Sequence, residues 1–472
     1  MNIYILYHIK ERELAICEMI KEEILKQNKS VNVRIRNFHS IWEEIWDFLP
    51  NIILTIPPRD QQASNHLMLA KAALKCSIVS LLTEGFFYHK TDETWRVYIG
   101  TNSYDAKLVD YYLFWGRAAK DGQVKVLLED KKITAIERAK IVGYVFYDKD
   151  NFKQYAKKII LPKIVQKWID GYKRHILCLT GFPVADYTIE DFMLESAFAY
   201  KEDKSKKREY QLKIEVAKKS VQAFFDYREK YVSNIIKSAI QNPDIGYLIK
   251  LHPAEYARFY DGTNYQFYHV FDKYPNIYLL DEAVPMGVIL PYTDLMIHYG
   301  STAGLEAFLY KVPTMHLFME EFSKESEMPG YCIYESSQEI SMDDFEEFNK
   351  CIIQGVRFKK TETVEKILEE QFDLRDDAKD YHPAKKIAGY VLDSWNVRQF
   401  LDDNAELRKA AKSMEGYRSR KDIWKNKVKV LWRERNYLER DKYLEMLKTI
   451  TPKWSLILYD ILIAAKLTFH IS

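Results

Sequence analysis

The sequence lacks the features of a disulfide-stabilised, metal-binding, dinucleotide-binding or exported protein. Its 472 residues include only five cysteines, which are scattered without metal-type spacing, and a sparse, odd set favours a reducing compartment. The Gly-x-Gly-x-x-Gly fingerprint does not follow the first predicted strand, which disfavours NAD or FAD. The N-terminus passes into a charged helical pattern without a signal-peptide core. We therefore expect a cytoplasmic protein.

An excess of one charge is also lacking. The 70 basic and 68 acidic side chains leave a net charge of +2, which gives no general attraction to nucleic acid. Hydrophobic residues make up 47% and charged residues 29% of the chain, which is typical of a globular protein. The length predicts two domains and an extension.

What the sequence does contain is a regular alternation of strands and helices. Strands are predicted at residues 3–7, 31–36, 52–56, 78–82, 113–116 and 141–144, and then at 175–180, 247–251, 277–280 and 295–298. Helical patterns separate them, the longest from about residue 212 to residue 241. This alternation predicts an α/β fold with parallel sheets, whose ligands bind at the carboxyl ends of the strands.

The stretch 294–308 joins the end of a strand to the start of a helix. Gly300 breaks the apolar run 295–298, and Ser301 and Thr302 can cap a helix over residues 303–310. Such a turn offers free backbone N–H groups and the positive end of a helix dipole to a phosphate. Glu306 follows Thr302 by four residues on the same helix face, where a carboxylate can bind a ribose. An ordinary capped helix gives the same pattern.

Two more polar residues follow predicted strands. Glu84 comes after strand 78–82 and beside the aromatic residues 86–88, which suits a general base, although a water-exposed turn carboxylate is the alternative. His252 ends strand 247–251, and Pro253 keeps it extended so that its imidazole points out of the sheet. That position suits contact with a phosphate or donation of a proton; a structural histidine is the alternative.

Five motifs occur in a fixed order along residues 1–320. They are L-T-E-G at 82–85, F-W-G at 114–116, V-G-Y at 142–144, K-L-H-P-A-E at 250–255 and H-Y-G-S-T-A-G-L-E-A at 298–307. The set resembles the surface carbohydrate biosynthesis family and, more distantly, capsule Kdo transferases, bacterial polysialyltransferases and teichoic-acid glycerophosphotransferases. Those relatives share a Glu/Asp-Gly motif in the first domain, and a His-Pro motif and a Ser-Ser or Ser-Thr motif in the second.

The resemblance implies a GT-B fold, in which two Rossmann-like domains face each other across a cleft. Glu84 would deprotonate the acceptor hydroxyl, although Thr83 stands where the relatives often carry a second acid. His252 would contact the donor phosphate or act as an acid toward the leaving nucleotide. Gly300, Ser301 and Thr302 would bind that phosphate. No metal ion and no other cofactor is implied, and the chain lacks an isolated Asp-x-Asp cluster in a suitable loop.

Three parts of the chain are predicted from these patterns. Residues 1–152 form a Rossmann-like acceptor domain, residues 172–390 a Rossmann-like nucleotide-sugar domain, and residues 391–472 a helical, basic-amphipathic extension. In the extension, Trp424 and Trp432 lie among basic residues, a pattern that suits an anionic membrane surface. Docking of these helices on the protein body is the alternative.

The functional prediction follows from the resemblance. We expect a metal-independent glycosyltransferase that moves a sugar from a nucleotide donor to a hydroxyl of a bacterial surface glycan or glycolipid, such as capsule or lipopolysaccharide. A CMP-linked ulosonic acid is the expected donor, and peripheral contact with the inner face of the cell membrane is expected through the extension. The alternatives are a CDP-polyol phosphotransferase, a sugar-nucleotide 2-epimerase of the same fold, and a non-catalytic glycan-assembly protein.

Overall fold

A computed structural model gives the architecture of most of the chain before residue 399. It describes residues 1–8, 10–38, 41–56, 67–68, 70–72, 74–82, 108–129, 136–182, 185, 207–252, 255, 267–280, 282, 284–299, 301, 303–319, 337–375 and 380–398. Glu84, Gly300 and Thr302 lie outside these residues, as does most of the predicted extension. No helix among the described residues is long and apolar enough to cross a membrane.

The first domain is built on a six-stranded sheet. Its strands are β1 (Asn2–Tyr7), β2 (Asn32–Asn37), β3 (Ile52–Thr55), β4 (Ser77–Leu81), β5 (Tyr111–Phe114) and β6 (Ala139–Ile141). They lie in the order β2-β1-β3-β4-β5-β6, and every neighbouring pair is parallel. Every residue of β3, β4 and β5 is buried, as expected for a parallel sheet covered by helices on both faces.

The helices of the first domain follow its strands in sequence. They are α1 (Lys10–Gln27), α2 (Ile41–Phe48), α3 (Arg117–Glu129) and α4 (Lys149–Ala156). The apolar face of α1 buries Ile16, Met19 and Ile20 beneath β1 and β3. Met19 and Ile20 follow Ile16 by three and four residues, which is the helical period from which the helix was predicted.

The second domain repeats this design. Its strands are β7 (Arg174–Leu179), β8 (Ile245–Lys250), β9 (Ile277–Leu280), β10 (Leu295–His298), β11 (Thr314–Phe318) and β12 (Ser337–Ser341). They form a parallel sheet in the order β12-β11-β10-β7-β8-β9. Its helices are α5 (Lys163–Gly171), α6 (Lys207–Gln241), α7 (Met286–Ile289), α8 (Ala303–Leu309) and α9 (Phe345–Gln354). The predicted α/β fold with two Rossmann-like domains is confirmed.

The chain returns to the first domain near its described end. Helix α10 (Glu362–Phe372) packs on α3, and α11 (Pro383–Val397) packs on α1. The Tyr111 hydroxyl of β5 donates to an Asp393 carboxylate oxygen of α11 at 2.7 Å. The boundary predicted between residues 390 and 391 falls inside α11, because the apolar side of this helix continues to the fully buried Val391 and Ser394.

Two predicted strands of the first domain need correction. Strand β5 ends at Phe114 rather than at Gly116, because Gly116 lies where α10 crosses: a Cβ there would be 2.3 Å from the Gln371 carbonyl carbon. Strand β6 ends at Ile141 rather than at Tyr144. Gly143 has a φ of +86°, which lies outside the range of a regular strand.

Candidate functional site

Three adjacent strands of the second sheet end at residues that can meet a ligand. Strand β7 lies between β10 and β8, so the strands that lead to Ser301 and to His252 are about 10 Å apart across it. Thr180 follows β7, and His252 follows β8 with an exposed side chain. The loop after Leu280, which sequence reasoning placed in the same group, follows β9 at the edge of the sheet beyond β8. The structure therefore brings His252 and Ser301 to the two sides of β7.

A buried carboxylate ties the ends of β7 and β8 together. Glu255 is 2% exposed, and one of its oxygens accepts hydrogen bonds from the His252 backbone N–H at 2.8 Å and from the Thr180 hydroxyl. Its other oxygen accepts from the Phe182 N–H at 3.0 Å and from the Tyr268 hydroxyl at 2.7 Å. The Thr180 hydroxyl also accepts from the His252 N–H at 3.0 Å. Both strand ends are thus fixed to one side chain.

The charge state of Glu255 depends on two opposing effects. Burial raises the pKa of its carboxyl above the ordinary value, whereas the hydrogen bonds from Thr180, Tyr268, His252 and Phe182 act in the opposite direction. The two backbone N–H groups can only donate to Glu255, whereas the two hydroxyls can donate or accept.

Aromatic rings connect the end of β7 to the residue that follows β10. The Phe182 ring stacks on the Tyr299 ring with centroids 5.8 Å apart and an interplanar angle of 13°. Tyr299 also contacts Tyr227 of α6 at 4.3 Å, and the Tyr231 hydroxyl donates to the Leu179 carbonyl at 2.8 Å. Tyr299 lies two residues before Ser301, so these rings support the turn that leads into α8.

The helix that follows this turn is short. The Ser301 hydroxyl accepts a hydrogen bond from the Ala303 N–H at 3.2 Å, and the Ser301 carbonyl accepts from the Gly304 N–H at 3.0 Å. Ser301 therefore begins α8 as predicted. Leu305 and Phe308 of the same helix pack in an apolar cluster with Phe114 and Tyr147 of the first domain, so the turn lies where the two domains meet.

Glu306 is the half-buried carboxylate of α8. Burial raises its pKa to about 7, and the Lys250 ammonium at the end of β8 acts in the opposite direction. Burial and, to a smaller extent, the nearby Glu306 raise the pKa of Tyr147, a residue of the first domain. Among the residues that the structure describes, none donates a hydrogen bond to its carboxylate. It is an acceptor group placed between the two domains.

Beneath the turn lie two buried histidines. His298 of β10 and His316 of β11 are paired in register, with ring centroids 5.6 Å apart, and His298 Nε2 lies 3.2 Å from the Ser337 hydroxyl oxygen. Burial lowers the pKa of His298 to about 4. Burial and the neighbouring His298 lower the pKa of His316 to about 3. Both rings are therefore neutral at pH 7.

The structure does not describe Glu84, the predicted site residue of the first domain. Glu84 lies three residues beyond β4 and outside the described residues. The F-W-G and V-G-Y motifs instead meet the returning C-terminal segment: Gly116 abuts the Gln371 backbone, and Gly143 abuts the Tyr381 ring. The Tyr144 N–H donates to the Tyr381 hydroxyl at 2.8 Å. These two motifs are packing positions in this chain.

Sequence reasoning missed Glu255 although it read the motif that contains it. Glu255 stands three residues after His252, and its partners Thr180 and Phe182 lie on another strand. A glutamate just after a His-Pro pair at a strand end was the only signal, and it did not indicate burial. Thr180 was likewise visible as a polar residue at a strand end.

Comparison with known proteins gives structural likenesses only. No protein-family model and no curated protein matches the sequence. The chain is similar to a UDP-GlcNAc 2-epimerase of Methanocaldococcus jannaschii solved with UDP-GlcNAc and UDP, at 12% identity over 83% of this chain and 99% of that chain, with a TM-score of 0.46. It is similar to a variant of the wall teichoic acid polymerase TagF, at 10% identity over 84% and 89%, with a TM-score of 0.48.

A third solved structure is the Anabaena protein HepE in complex with UDP and glucose. The identity is 11%, the coverage is 88% of this chain and 99% of that chain, and the TM-score is 0.35. The fold class follows from the strand order of the two parallel sheets. The chain has two Rossmann-like domains in one polypeptide.

Proposed function

We propose that the protein is a glycosyltransferase that moves a sugar from a nucleotide donor to a hydroxyl group of a surface glycan. The observation that supports it most is the placement of His252 and Ser301 on the two sides of β7, at the carboxyl edge of a parallel sheet. Open α/β sheets bind their ligands at this edge. The nucleotide phosphate would lie between the His252 imidazole and the turn at residues 300–302.

The other proposed roles follow from position and chemistry. Glu306, which no described residue supplies with a hydrogen bond, would accept hydrogen bonds from the ribose hydroxyls. Gly300 and Thr302 would add backbone N–H groups to the phosphate contact beside Ser301. Glu84, by the resemblance of its motif, would be the general base in the first domain.

In the proposed reaction an acceptor oxygen attacks the anomeric carbon of the donor sugar. The acceptor proton passes to the Glu84 carboxylate, and the new glycosidic C–O bond forms as the bond from the anomeric carbon to the phosphate oxygen breaks. The bonding electrons leave with that oxygen. His252 and the turn would stabilise the negative charge that develops there.

The donor class rests on the resemblance of the motifs. It favours CMP-linked ulosonic acids and, as the runner-up, a CDP-polyol whose phosphate is transferred. The acceptor would be a glycan or glycolipid at the cytoplasmic face of the membrane, with the part of the predicted extension around Trp424 and Trp432 contributing peripheral contact. A sugar-nucleotide 2-epimerase would differ by acting on the nucleotide sugar without an acceptor.

A nucleotide panel tests the proposal. We expect CMP or CDP to raise the melting temperature more than UDP or GDP, since a ligand at 100 times its Kd adds about 2.7 kcal/mol to the stability of the folded state. The His252→Ala variant should lose the shift. His269→Ala, which removes another exposed histidine of the same domain, paired with Asp272, is the matched control and should keep it.

Each result of the panel has a consequence. Equal shifts with all four nucleotides, or a shift with UDP alone, would remove the cytidine assignment. No shift with any nucleotide would remove the nucleotide site. Conversion of a nucleotide sugar to its epimer without an acceptor would favour the epimerase over the transferase.

A further inference from the structure

Glu255 has an environment that differs from that of an ordinary buried carboxylate. It is 2% exposed, yet all four of its described hydrogen-bond partners are neutral: two backbone N–H groups and two hydroxyls. A buried carboxyl without partners would be costly, and the four hydrogen bonds that offset this cost come from the ends of two strands and from Tyr268.

The four partners show which parts of the site are held. The His252 N–H comes from the end of β8, the Thr180 hydroxyl and Phe182 N–H come from the end of β7, and Tyr268 lies in the segment before β9. Through the stacked Phe182 and Tyr299 rings the same carboxylate is connected to the residue that follows β10. One side chain thus links all three strand ends.

The hydrogen bonds also decide which groups face a ligand. The N–H groups of His252 and Phe182 are used by Glu255 and are not offered to a phosphate. The side chain of His252 is exposed. The position of that side chain is set by a backbone that Glu255 holds at 2.8 Å.

We propose that Glu255 is a positioning residue of the nucleotide site, which sets the distance between His252 and the Ser301 turn through Thr180, Phe182 and Tyr299. It touches no substrate itself. This inference rests on the proposed function, because nucleotide binding is the property that the geometry serves.

The test replaces Glu255 by glutamine, which keeps the size of the side chain but turns an NH2 group toward two of the four donors. The matched control is Glu13→Gln, because Glu13 is also 1% exposed and accepts a backbone N–H, that of His8, after strand β1 of the other sheet. The Kd of the nucleotide with the largest thermal shift is measured well below both melting temperatures. We expect Kd to rise at least tenfold in Glu255→Gln and less than twofold in Glu13→Gln.

Two hydroxyl variants give a milder version of the same test. Thr180→Val removes the hydroxyl that joins the His252 N–H to Glu255, and Thr55→Val removes a buried hydroxyl at the end of β3. Amide hydrogen exchange at Phe182 and His252 reports the hydrogen bonds that these two N–H groups donate to Glu255, and it can be measured without nucleotide. We expect faster exchange and weaker binding in Thr180→Val alone, which keeps the test valid if Glu255→Gln does not fold.

The outcomes separate the two proposals. If wild-type protein binds nucleotide and both Glu255→Gln and Thr180→Val bind it as tightly, the positioning role is overturned and the nucleotide site stands. If both lower stability without changing Kd, Glu255 is only structural and the inference fails. If the wild type binds none of the four nucleotides, both proposals fall together.

Discussion

Each of the two sheets holds a buried carboxylate that ties neighbouring strands together, but at opposite ends of the strands. In the first sheet Asp110, just before β5, accepts from the Ile78 N–H at 2.9 Å, the Ser77 hydroxyl at 3.1 Å and the Lys71 ammonium at 2.6 Å. In the second sheet Glu255 joins β7 and β8 after they end, and its partners among the described residues are all neutral. Within that part of the chain, a cation pairs with the first carboxylate, whereas the second is held by N–H and hydroxyl groups.

The difference matches what each end of a parallel sheet is used for. At the amino end of the first sheet the Lys71–Asp110 pair is fully enclosed; burial lowers the pKa of Lys71, and its attraction to Asp110 opposes that shift. At the carboxyl ends, where such sheets bind ligands, Glu255 accepts the N–H groups of His252 and Phe182 and two hydroxyls.

The carboxyl ends of the two sheets also differ. Beyond β5 and β6 the returning C-terminal segment occupies the space, with Gln371 against Gly116 and Tyr381 against Gly143. Beyond β8 and β10 the described side chains include the exposed His252 and the half-buried Glu306. We call the carboxyl ends of the strands in the first and second sheets the first edge and the second edge. The second edge therefore offers polar groups to a ligand, while part of the first edge is covered by the protein itself.

The largest expected effect concerns Glu84, the proposed base at the remaining part of the first edge. Glu84→Gln keeps size and hydrogen-bonding reach but cannot accept a proton, so transfer should fall by roughly 10²- to 10⁴-fold. Nucleotide affinity should hold, because the nucleotide is assigned to the other sheet. The rate and the Kd are measured on one sample, with Glu137→Gln, an exposed carboxylate of the same domain, as the control. Near-normal transfer would remove Glu84 from the mechanism.

The next effect concerns the covered part of the first edge. In Gly116→Ala the new Cβ would lie 2.3 to 2.6 Å from backbone atoms of Gln371 and Glu370, so α10 must move, which should lower the free energy of unfolding by about 3 kcal/mol. Gly389→Ala in α11 is the control. Its Cβ would meet only the Gln27 side chain at 3.8 Å, so it should stabilise the helix by up to ~1 kcal/mol. Denaturant unfolding measures both, and an unchanged midpoint in Gly116→Ala would contradict the packing.

How much of the fold and of the candidate site could be predicted depends on how far apart in the sequence the interacting residues lie. Strands 277–280 and 295–298 were predicted to the residue, because apolar runs bounded by turn residues are a local signal. The strands β11 and β12 were not, since Ser337–Ser341 has too little apolar character. The crossing of α10 over Gly116 joins residues about 250 apart, and no local pattern reports such a contact. The same holds for Glu255, whose partner Thr180 is 75 residues away.

A smaller expected effect is the pH dependence of the free energy of unfolding that the buried ionisable groups near the second edge produce. His298 and His316 have pKa values lowered to about 4 and about 3, so below pH 6.5 the unfolded chain binds protons that the folded chain does not. Each histidine should therefore lower the free energy of unfolding by about 1.4 kcal/mol per pH unit between pH 6 and pH 4.5.

Glu306 acts with the opposite sign in the same pH range. Its pKa is raised to about 7, so as the pH falls from 7 to 4.5 the folded chain takes up the proton first and gains stability. His298→Gln should therefore make the unfolding free energy less dependent on pH, and Glu306→Gln should make it more dependent, each by about 1.4 kcal/mol per unit. Denaturant titrations at pH 4.5, 5.25 and 6 measure these slopes. Equal slopes in the two variants would contradict the burial of both groups.

The smallest expected effect concerns the cap at Ser301. The double variant Ser301→Ala, Thr302→Ala loses the hydroxyl that accepts from the Ala303 N–H at 3.2 Å, and a lost cap costs about 1 kcal/mol of stability. Thr361→Ala removes the matching cap of α10, where the hydroxyl accepts from the Val364 N–H at 3.3 Å, and should cost a similar amount. The two caps differ in what lies before them, since only Ser301 follows the strand next to β7. Nucleotide Kd should therefore rise in the double variant and stay constant in Thr361→Ala. If both variants lose the same stability and neither changes the nucleotide Kd, the turn at Ser301 is a plain helix cap. The cap of α8 would then differ in no functional respect from the cap of α10.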